Sequence, residues 1–418
     1  MHTASGALMT ARELPNLVYI GDVPVEASYH GSALLYRLLQ AYPPERLLIL
    51  ESDMLGSATE RRLPGVPYRE FSLGCNRLLK TRFHSLVSAW LNLSAKRRAA
   101  LLPTILNEFT PQAVLTVGHG FSWLTAAAFA LQNQLALHLI VHDDWPRAVQ
   151  WGVHAQRWLE KVFGRVYRQA ASRLCISPAM AQEYRHRYGV KGTVLYPSRS
   201  AGVVAFSAPP DHDANPERPL IYAFGGSINS PGCMQALREL SAVLQRQGGQ
   251  FNIYGPLTQL EADRAGLPET IVKVCGLLPC GEFIQELRDH VDVLFLPMSF
   301  APEERSNMRL CFPSKLADYT VVGLPLLIYG PENCAAARWA QEQPVIAEVV
   351  TEQSENGLGL AIGRLRNPVY RHQLGQAALR TGNRYFGPAA AQQQFYAAIS
   401  SSFNRAGQHS GAVTDDTA

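Results

Sequence analysis

At 418 residues the chain exceeds the length over which one hydrophobic core keeps growing, so two domains are expected. Its 47% apolar and 17% charged residues are those of an ordinary globular protein, and a formal charge of only +4 implies no nucleic-acid partner. Seven scattered cysteines with no CxxC pair, Cys275 and Cys280 lying outside a metal-ligand spacing, point to reduced thiols in a cytosolic protein.

The opening segment "MHTASGALMTARELPN" lacks the apolar core of a signal peptide. Short apolar runs then alternate with helical patterns. "LVYI" (17–20), "LLIL" (47–50), "AVLTV" (113–117), "LHLIV" (137–141) and "RLCI" (173–176) have the continuous apolarity of buried parallel strands. Between them "SALLYRLLQAY" and "GFSWLTAAAFALQNQ" carry a helical period. The most apolar region, "WLTAAAFALQNQLALHLIV", is interrupted by Gln132, Asn133, Gln134 and His138, so it predicts a helix, a turn and a strand rather than a membrane span.

Residues 198–219, rich in Pro, Ser, Asp and Asn, have no period and read as an interdomain linker. The alternation restarts with "LIYAF" (220–224), "FNIY" (251–254), "IVKVC" (271–275), "DVLFLP" (292–297) and "LPLLIYG" (324–330). The expected architecture is α/β: two Rossmann-like, doubly wound parallel-sheet domains, 1–197 and 220–387, facing a cleft. A final helix over 388–405 can cross back to the N-terminal domain, and the polar tail 406–418 is expected to be disordered.

Charge is unevenly spread. Nine Lys or Arg lie between Arg61 and Arg98 against the single acid Glu70, and six between Arg147 and Arg173 against Glu160. Solvated helix faces and recruitment to an anionic membrane both account for these clusters, and the second can equally line an acceptor site. Apolar neighbours in "LVSAWLNL" and "RWLEKVFGRVY" favour the membrane.

A strand-to-helix turn and a helix start carry the chemistry. "YAFGGSINSPG" (222–232) places Gly225, Gly226 and Ser227 after a strand, where backbone amides can approach a phosphate; it is not GxGxxG, which disfavours a classical NAD site. In "CFPSKLADYTVVGLPLLIYGP" (311–331), Pro313 starts a helix that Ser314 can cap. Lys315 adds positive charge at the helix's positive end, Asp318 and Tyr319 follow one turn on, and Gly323 and Pro325 close the helix. In the first half, "IVHDDWP" sets His142, Asp143 and Asp144 at a strand end, and "TVGHGFSW" does the same for His119. A core-satisfied histidine and a functional one are both open at each position.

The stretch "FPSKLADYTVVGLPLLIYGP" resembles the donor-site signature of GT-B glycosyltransferases, family 4 in particular, in which a PSKxxEY helix ends in a Gly-x-Pro and an apolar strand. Three further stretches fit the same order. "RLCISPAMAQEYRHRYGVKGTVLYP" is similar to the last strand and helix of the N-terminal domain. "IYAFGGSIN" is similar to the first strand and glycine turn of the second domain. "VKVCGLLPCGEFIQELRDHVDVLFLP" is similar to the loop, here Gly276 and Leu277, that abuts the nucleotide base. "SYHGSALL" is similar to the family's first glycine-rich loop, with Gly31 as the match.

The resemblance implies a nucleotide-sugar held by the second domain and a glycan or lipid-linked acceptor held by the first. Its donor-binding residues are Gly225, Gly226, Ser227, Gly276, Leu277, Arg309, Ser314, Lys315, Asp318 and Tyr319; its acceptor side comprises Gly31, His119, His142 and Asp143. His142, Asp143, Lys315 and Asp318 are the catalytic candidates. The chain departs from the family where the first acid of the donor pair is replaced by Leu310, with Glu303 and Glu304 nearby, and where residues 227–232 lack the usual Arg and Lys. Lys315 and Arg309 must then supply the positive charge that a departing diphosphate needs.

The implied activity is metal-independent, retaining hexosyl transfer in polysaccharide or glycoconjugate synthesis, by a cytoplasmic enzyme that can be peripheral on the inner membrane face. "HDDW" is not an Asp-x-Asp metal motif, and no cofactor is expected. Two alternatives stand beside it: a non-catalytic nucleotide-sugar-binding subunit, and a GT-B-like sugar-nucleotide epimerase.

Overall fold

The computed structural model describes residues 14–27, 30–74, 76–148, 153–203, 206–211, 218–228 and 230–410. The first 13 residues, part of the segment 198–219 and the end of the tail, 411–418, lie outside the described residues. The chain divides into two compact units, 1–196 with 389–418, and 197–388.

The first unit is built on strands β1 (Leu17–Gly21), β2 (Leu47–Ser52), β3 (Tyr68–Phe71), β4 (Ala113–Val117), β5 (Ala136–Val141), β6 (Ser172–Cys175) and β7 (Thr193–Val194). All pair in parallel in the order β3-β2-β1-β4-β5-β6-β7. Its helices are α1 (His30–Leu39), α2 (His84–Leu93), α3 (Ala95–Leu106), α4 (Ser122–Gln132), α5 (Trp145–Ala148), α6 (Val153–Gln169) and α7 (Pro178–Tyr188). β1, β2 and β4 are buried at every position, as a parallel sheet with both faces covered requires. β3 was not expected from sequence: "YREF" is a half-exposed edge strand with one buried residue, too polar to signal itself. Trp123, Phe163, Tyr184 and Tyr167 pack edge-to-face in sequence, with Trp123 and Phe163 centroids 5.3 Å apart.

The second unit repeats the scheme with β8 (Ile221–Gly225), β9 (Gln250–Tyr254), β10 (Val272–Gly276), β11 (Val293–Pro297), β12 (Leu326–Tyr329) and β13 (Ala347–Val350), in the parallel order β10-β9-β8-β11-β12-β13. Its helices are α8 (Pro231–Gln247), α9 (Gln259–Arg264), α10 (Cys280–His290), α11 (Arg305–Leu310), α12 (Lys315–Val322), α13 (Ala335–Gln341), α14 (Glu355–Leu365) and α15 (Pro368–Tyr385). Tyr222, Phe251, Phe295 and Tyr329 fill its core. β13, "AEVV", is a second edge strand that sequence reasoning did not find.

Two expectations change. The start of the 198–219 segment is not a free linker: Arg199 is buried, its Nε donating to the Ala317 carbonyl (3.2 Å), Nη1 to Asn383 Oδ1 (2.5 Å) and Nη2 to Thr320 Oγ1 (3.3 Å). The last helix, α16 (Pro388–Ser410), runs beyond 405 into the stretch expected to be disordered. Phe395 and Ile399 on α16 are fully buried, and Tyr396 packs edge-on against Tyr42 with centroids 5.8 Å apart.

His138 shows how completely the first core is dried. It lies within β5 at 0% exposure, Nδ1 is 2.8 Å from Ser172 Oγ, and burial lowers its pKa from 6.5 to about 4. The folded state therefore holds a neutral imidazole that the unfolded chain protonates below pH 6.5. Stability is complete above that pH and falls as pH drops towards 4, by on the order of 3 kcal/mol through this group. Urea unfolding of the His138→Gln variant should lack that part of the pH dependence; an unchanged profile would show that the imidazole does not titrate differently on folding.

Candidate functional site

In each sheet the strand order reverses at one place, between β1 and β4 and between β8 and β11. Chain direction diverges there, which opens a crevice at the carboxyl ends of the strands. The sequence-derived candidates gather at these two edges.

At the β1/β4 edge of the first unit, Asp22 follows β1 and is buried. It accepts hydrogen bonds from Ser52 Oγ (2.6 Å) and from the Ser122 amide (2.8 Å), and also from the Phe121 amide and the Ser122 hydroxyl at the start of α4. Gly120, at φ +70°, is required beside it: a Cβ would stand 2.2 Å from Asp22 Oδ2. Asp22 thus caps α4 and turns the chain so that His119, just after β4, reaches the edge.

Next to it, β5 delivers His142 and Asp143. His142 Nε2 is 3.0 Å from Asp143 Oδ2 and His119 Nδ1 is 3.4 Å from the same oxygen. The two imidazoles stack at 5.5 Å, and the Trp145 ring lies 4.2 Å from His119. His142 Nδ1 is out of solvent with no hydrogen-bond partner. Burial alone would raise the Asp143 pKa, but the two histidines outweigh it and hold the carboxyl well below the usual range. Gly31, in the first turn of α1, approaches His142 closely: a Cβ there would be 3.1 Å from Cε1. The four acceptor-side candidates are therefore one cluster. His119, His142 and Asp143 also offer three metal-ligand atoms within 4.8 Å of one another, a donor set that fits a divalent ion.

Asp144, expected at the same rim, belongs instead to the interior. It is 1% exposed, pairs with Arg187 Nη1 (2.7 Å) and Nη2 (3.0 Å), and accepts from the Tyr184 hydroxyl (2.9 Å). It anchors α7 to β5.

At the β8/β11 edge of the second unit, β8 ends in Gly225 and Gly226. The Gly225 amide donates to the Tyr319 hydroxyl oxygen at 2.7 Å, and a Cβ at Gly225 would meet the Phe283 ring at 2.2 Å. Gly226, at φ +120°, donates its amide to the Tyr254 carbonyl (2.7 Å), and a Cβ there would be 2.6 Å from Lys315 Cε. Lys315 and Tyr319 stand one turn apart on α12, so one helix face clasps both glycines. Lys315 Nζ lies 5.1 Å from the Phe224 ring centroid, and burial lowers its pKa. Among the described residues Lys315 has no carboxylate within ion-pair distance.

Tyr319 is 1% exposed, so it shapes the turn and has no surface for a ligand. Ser314 stands at the helix start but makes no side-chain cap, and the Leu316 and Ala317 amides are already taken by the Pro313 and Ser314 carbonyls. The amides at this helix start are thus partly occupied. Asp318 is partly buried and its charge acts on Arg199, whose pKa burial lowers to about 10. Ser227 is partly buried beside Gly226, and Arg309 is partly buried on α11.

Gly276, at φ +73°, ends β10, where its carbonyl accepts from the Gly255 amide at 2.8 Å; Leu277 beside it is exposed. Leu310 is fully buried and presents no group to the edge. Sequence reasoning set Glu304 aside as merely nearby. One of its carboxylate oxygens is out of solvent without a hydrogen-bond partner, and both Glu304 and Lys315 act electrostatically on Cys233 in the first turn of α8. No motif marks it; only folding brings it to Cys233.

Two parallel-sheet α/β domains with candidate sites on their carboxyl edges define the GT-B architecture. The chain is similar in structure to the HepE protein of Anabaena in complex with UDP and glucose, with a TM-score of 0.64 and 14% identity over 93% of this chain and 100% of that one. An α,α-trehalose-phosphate synthase (UDP-forming) from Burkholderia xenovorans, solved with glucose-6-phosphate, gives a TM-score of 0.63 at 12% identity over 92% and 99%. The lipopolysaccharide outer core galactosyltransferase WaaB in its apo form gives 0.58 at 16% over 92% and 99%. These identities establish a shared fold. No protein-family model matches the sequence, and no curated protein does.

Tyr319→Phe removes the acceptor of a buried amide while keeping the ring. It should lower the stability of the second unit by about 1–3 kcal/mol, read from its urea unfolding transition. A loss below a few tenths would show that the Gly225 amide finds another partner.

Proposed function

We propose that the protein is a glycosyltransferase that moves a sugar from a nucleotide-sugar, of the UDP type, to a glycan or lipid-linked acceptor. The observation that carries this reading is Lys315: a partly buried cation without a carboxylate partner, held over the glycine turn at the switch point of the second sheet. Such a charge is stabilised by a bound anion, and a departing nucleoside diphosphate is one. The fold shared with a protein solved with UDP-glucose supports it.

In the proposed reaction the bond between the anomeric carbon and the diphosphate oxygen breaks, and its electron pair leaves with the nucleoside diphosphate. Lys315, with the Gly226 region, offsets that charge. The acceptor hydroxyl oxygen bonds to the anomeric carbon and loses its proton to the His142–Asp143 pair, with His119 and Gly31 bordering the acceptor. Gly276 and Leu277 border the base, and Asp318, Arg309 and Ser227 lie towards the donor. We assign to the reaction retention of configuration, with the acceptor attacking from the face the diphosphate leaves, and no metal, "HDDW" not being an Asp-x-Asp motif. A non-catalytic nucleotide-sugar-binding role is the second reading, favoured by the buried Leu310 in place of an acid.

Calorimetry and thermal shift with UDP, GDP, dTDP, CMP and their sugar conjugates, in EDTA, test the donor site. Stabilisation by uridine nucleotides is expected; no response to any of them would remove the transferase reading. Lys315→Ala should lower kcat/KM by roughly 10²-fold or more with little loss of stability, and unchanged transfer would remove Lys315 from the mechanism. Binding without turnover on any acceptor supports the second reading.

We also propose that the first unit associates with an anionic bilayer. α2 and the residue before it present Phe83, Leu86, Trp90 and Leu93 at 46%, 71%, 53% and 71% exposure, a stripe along one helix face whose opposite side is buried. No acid occurs from 71 to 107, while Arg77, Lys80, Arg82, Lys96 and Arg97 are exposed around the stripe. An apolar ridge ringed by cations suits an interfacial helix. No helix among the described residues is long and apolar enough to cross a membrane. Leu86→Glu/Trp90→Glu should abolish co-sedimentation with phosphatidylglycerol vesicles without lowering the melting temperature, and binding by wild type should weaken with salt. Salt-insensitive binding, or none, leaves these as solvated faces.

A further inference from the structure

A cavity of about 480 Å³ lies in the first unit between α6 and Arg147 of α5 on one side and the end of α7 on the other. Its size is that of a small-molecule site, roughly 300–1,000 Å³. It is lined by five cations, Arg147, Arg157, Lys161, Arg168 and Arg187, and by one acid, Glu160.

The placement follows from α6. Arg157, Lys161, Gly164 and Arg168 fall on one helix face at successive turns. Gly164 leaves the middle of that face without a side chain: a Cβ would meet the Tyr188 ring at 2.8 Å. The ring therefore closes the floor, with its hydroxyl donating to Glu160 at 2.9 Å. Arg187 is neutralised by Asp144 and Glu183, each at 2.7 Å, and Glu160 stands 4.0 Å from both Arg147 and Arg187. Arg157, Lys161 and Arg168 are exposed, and none has an ion-pair partner among the described residues. The cavity thus holds three uncompensated cations around a rigid aromatic floor.

We propose that this cavity binds a phosphate ester or diphosphate, distinct from the donor. A single carboxylate would leave most of the charge uncompensated, whereas a phosphate group carries about two negative charges at neutral pH and several acceptor oxygens for arginine forks. Soluble phosphate esters and phospholipid headgroups share this chemistry. The proposal rests on the first unit alone and stands whether or not the transferase reading does.

Pyrophosphate is titrated by calorimetry into the full chain carrying Lys315→Ala, which silences the proposed donor site, with and without Arg157→Gln/Lys161→Gln. Both substituted side chains are exposed, so the fold is retained, and circular dichroism checks it. A loss of affinity of about tenfold or more on adding the double substitution assigns the cavity to soluble phosphate esters. In parallel, the Leu86→Glu/Trp90→Glu protein is sedimented with phosphatidylcholine vesicles with and without phosphatidic acid. Phosphatidic-acid-dependent sedimentation that Arg157→Gln/Lys161→Gln removes, in the absence of pyrophosphate binding, assigns it to a lipid headgroup. If the double substitution changes neither measurement, the proposal is overturned.

Discussion

The second unit depends on a clasp between one helix face and two glycines. Tyr319 holds the Gly225 amide and Lys315 lies along Gly226, so α12 cannot move relative to the end of β8 without leaving a buried donor unpaired. Neither glycine tolerates a side chain, because Phe283 fills the space at one and Lys315 at the other. The geometry that excludes side chains is the same geometry that suspends a cation above the glycine turn. An electrostatic site is built here from steric necessity.

The first unit solves a comparable problem with a carboxylate. Asp22 gathers the free donors at the start of α4 and in doing so aligns the end of β4 with that of β5. His119 and His142 then share Asp143, whose negative charge they sustain against burial. Of the adjacent acids Asp143 and Asp144, one faces this cluster and the other ties down α7.

Much of this was legible in the residues. Strands such as "LVYIG" and "VLFLP" are apolar throughout because both sheet faces are covered, and no other element of that length looks the same. "YREF" and "AEVV" escaped notice because edge strands keep polar positions. The clustering of His119, His142 and Asp143 followed from their places at strand ends, and Gly31 from the resemblance of its loop. The role of Tyr319 did not, since a buried tyrosine hydroxyl and a solvent-facing one are spelled alike. The burial of Arg199 was hidden by a neighbourhood of Pro and Ser that suggested a linker, and Glu304 is brought towards Cys233 by tertiary structure alone.

The last helix carries a consequence for how the molecule comes into being. α16 follows the second unit along the chain, yet Phe395, Ile399 and the Tyr42–Tyr396 pair place it in the core of the unit that precedes it. During synthesis the N-terminal sheet must therefore wait, incomplete, while residues 197–388 emerge and close their own core. The half of the protein encoded second is the first able to finish, and a chain stopped before residue 389 leaves its opening half with an uncovered apolar surface.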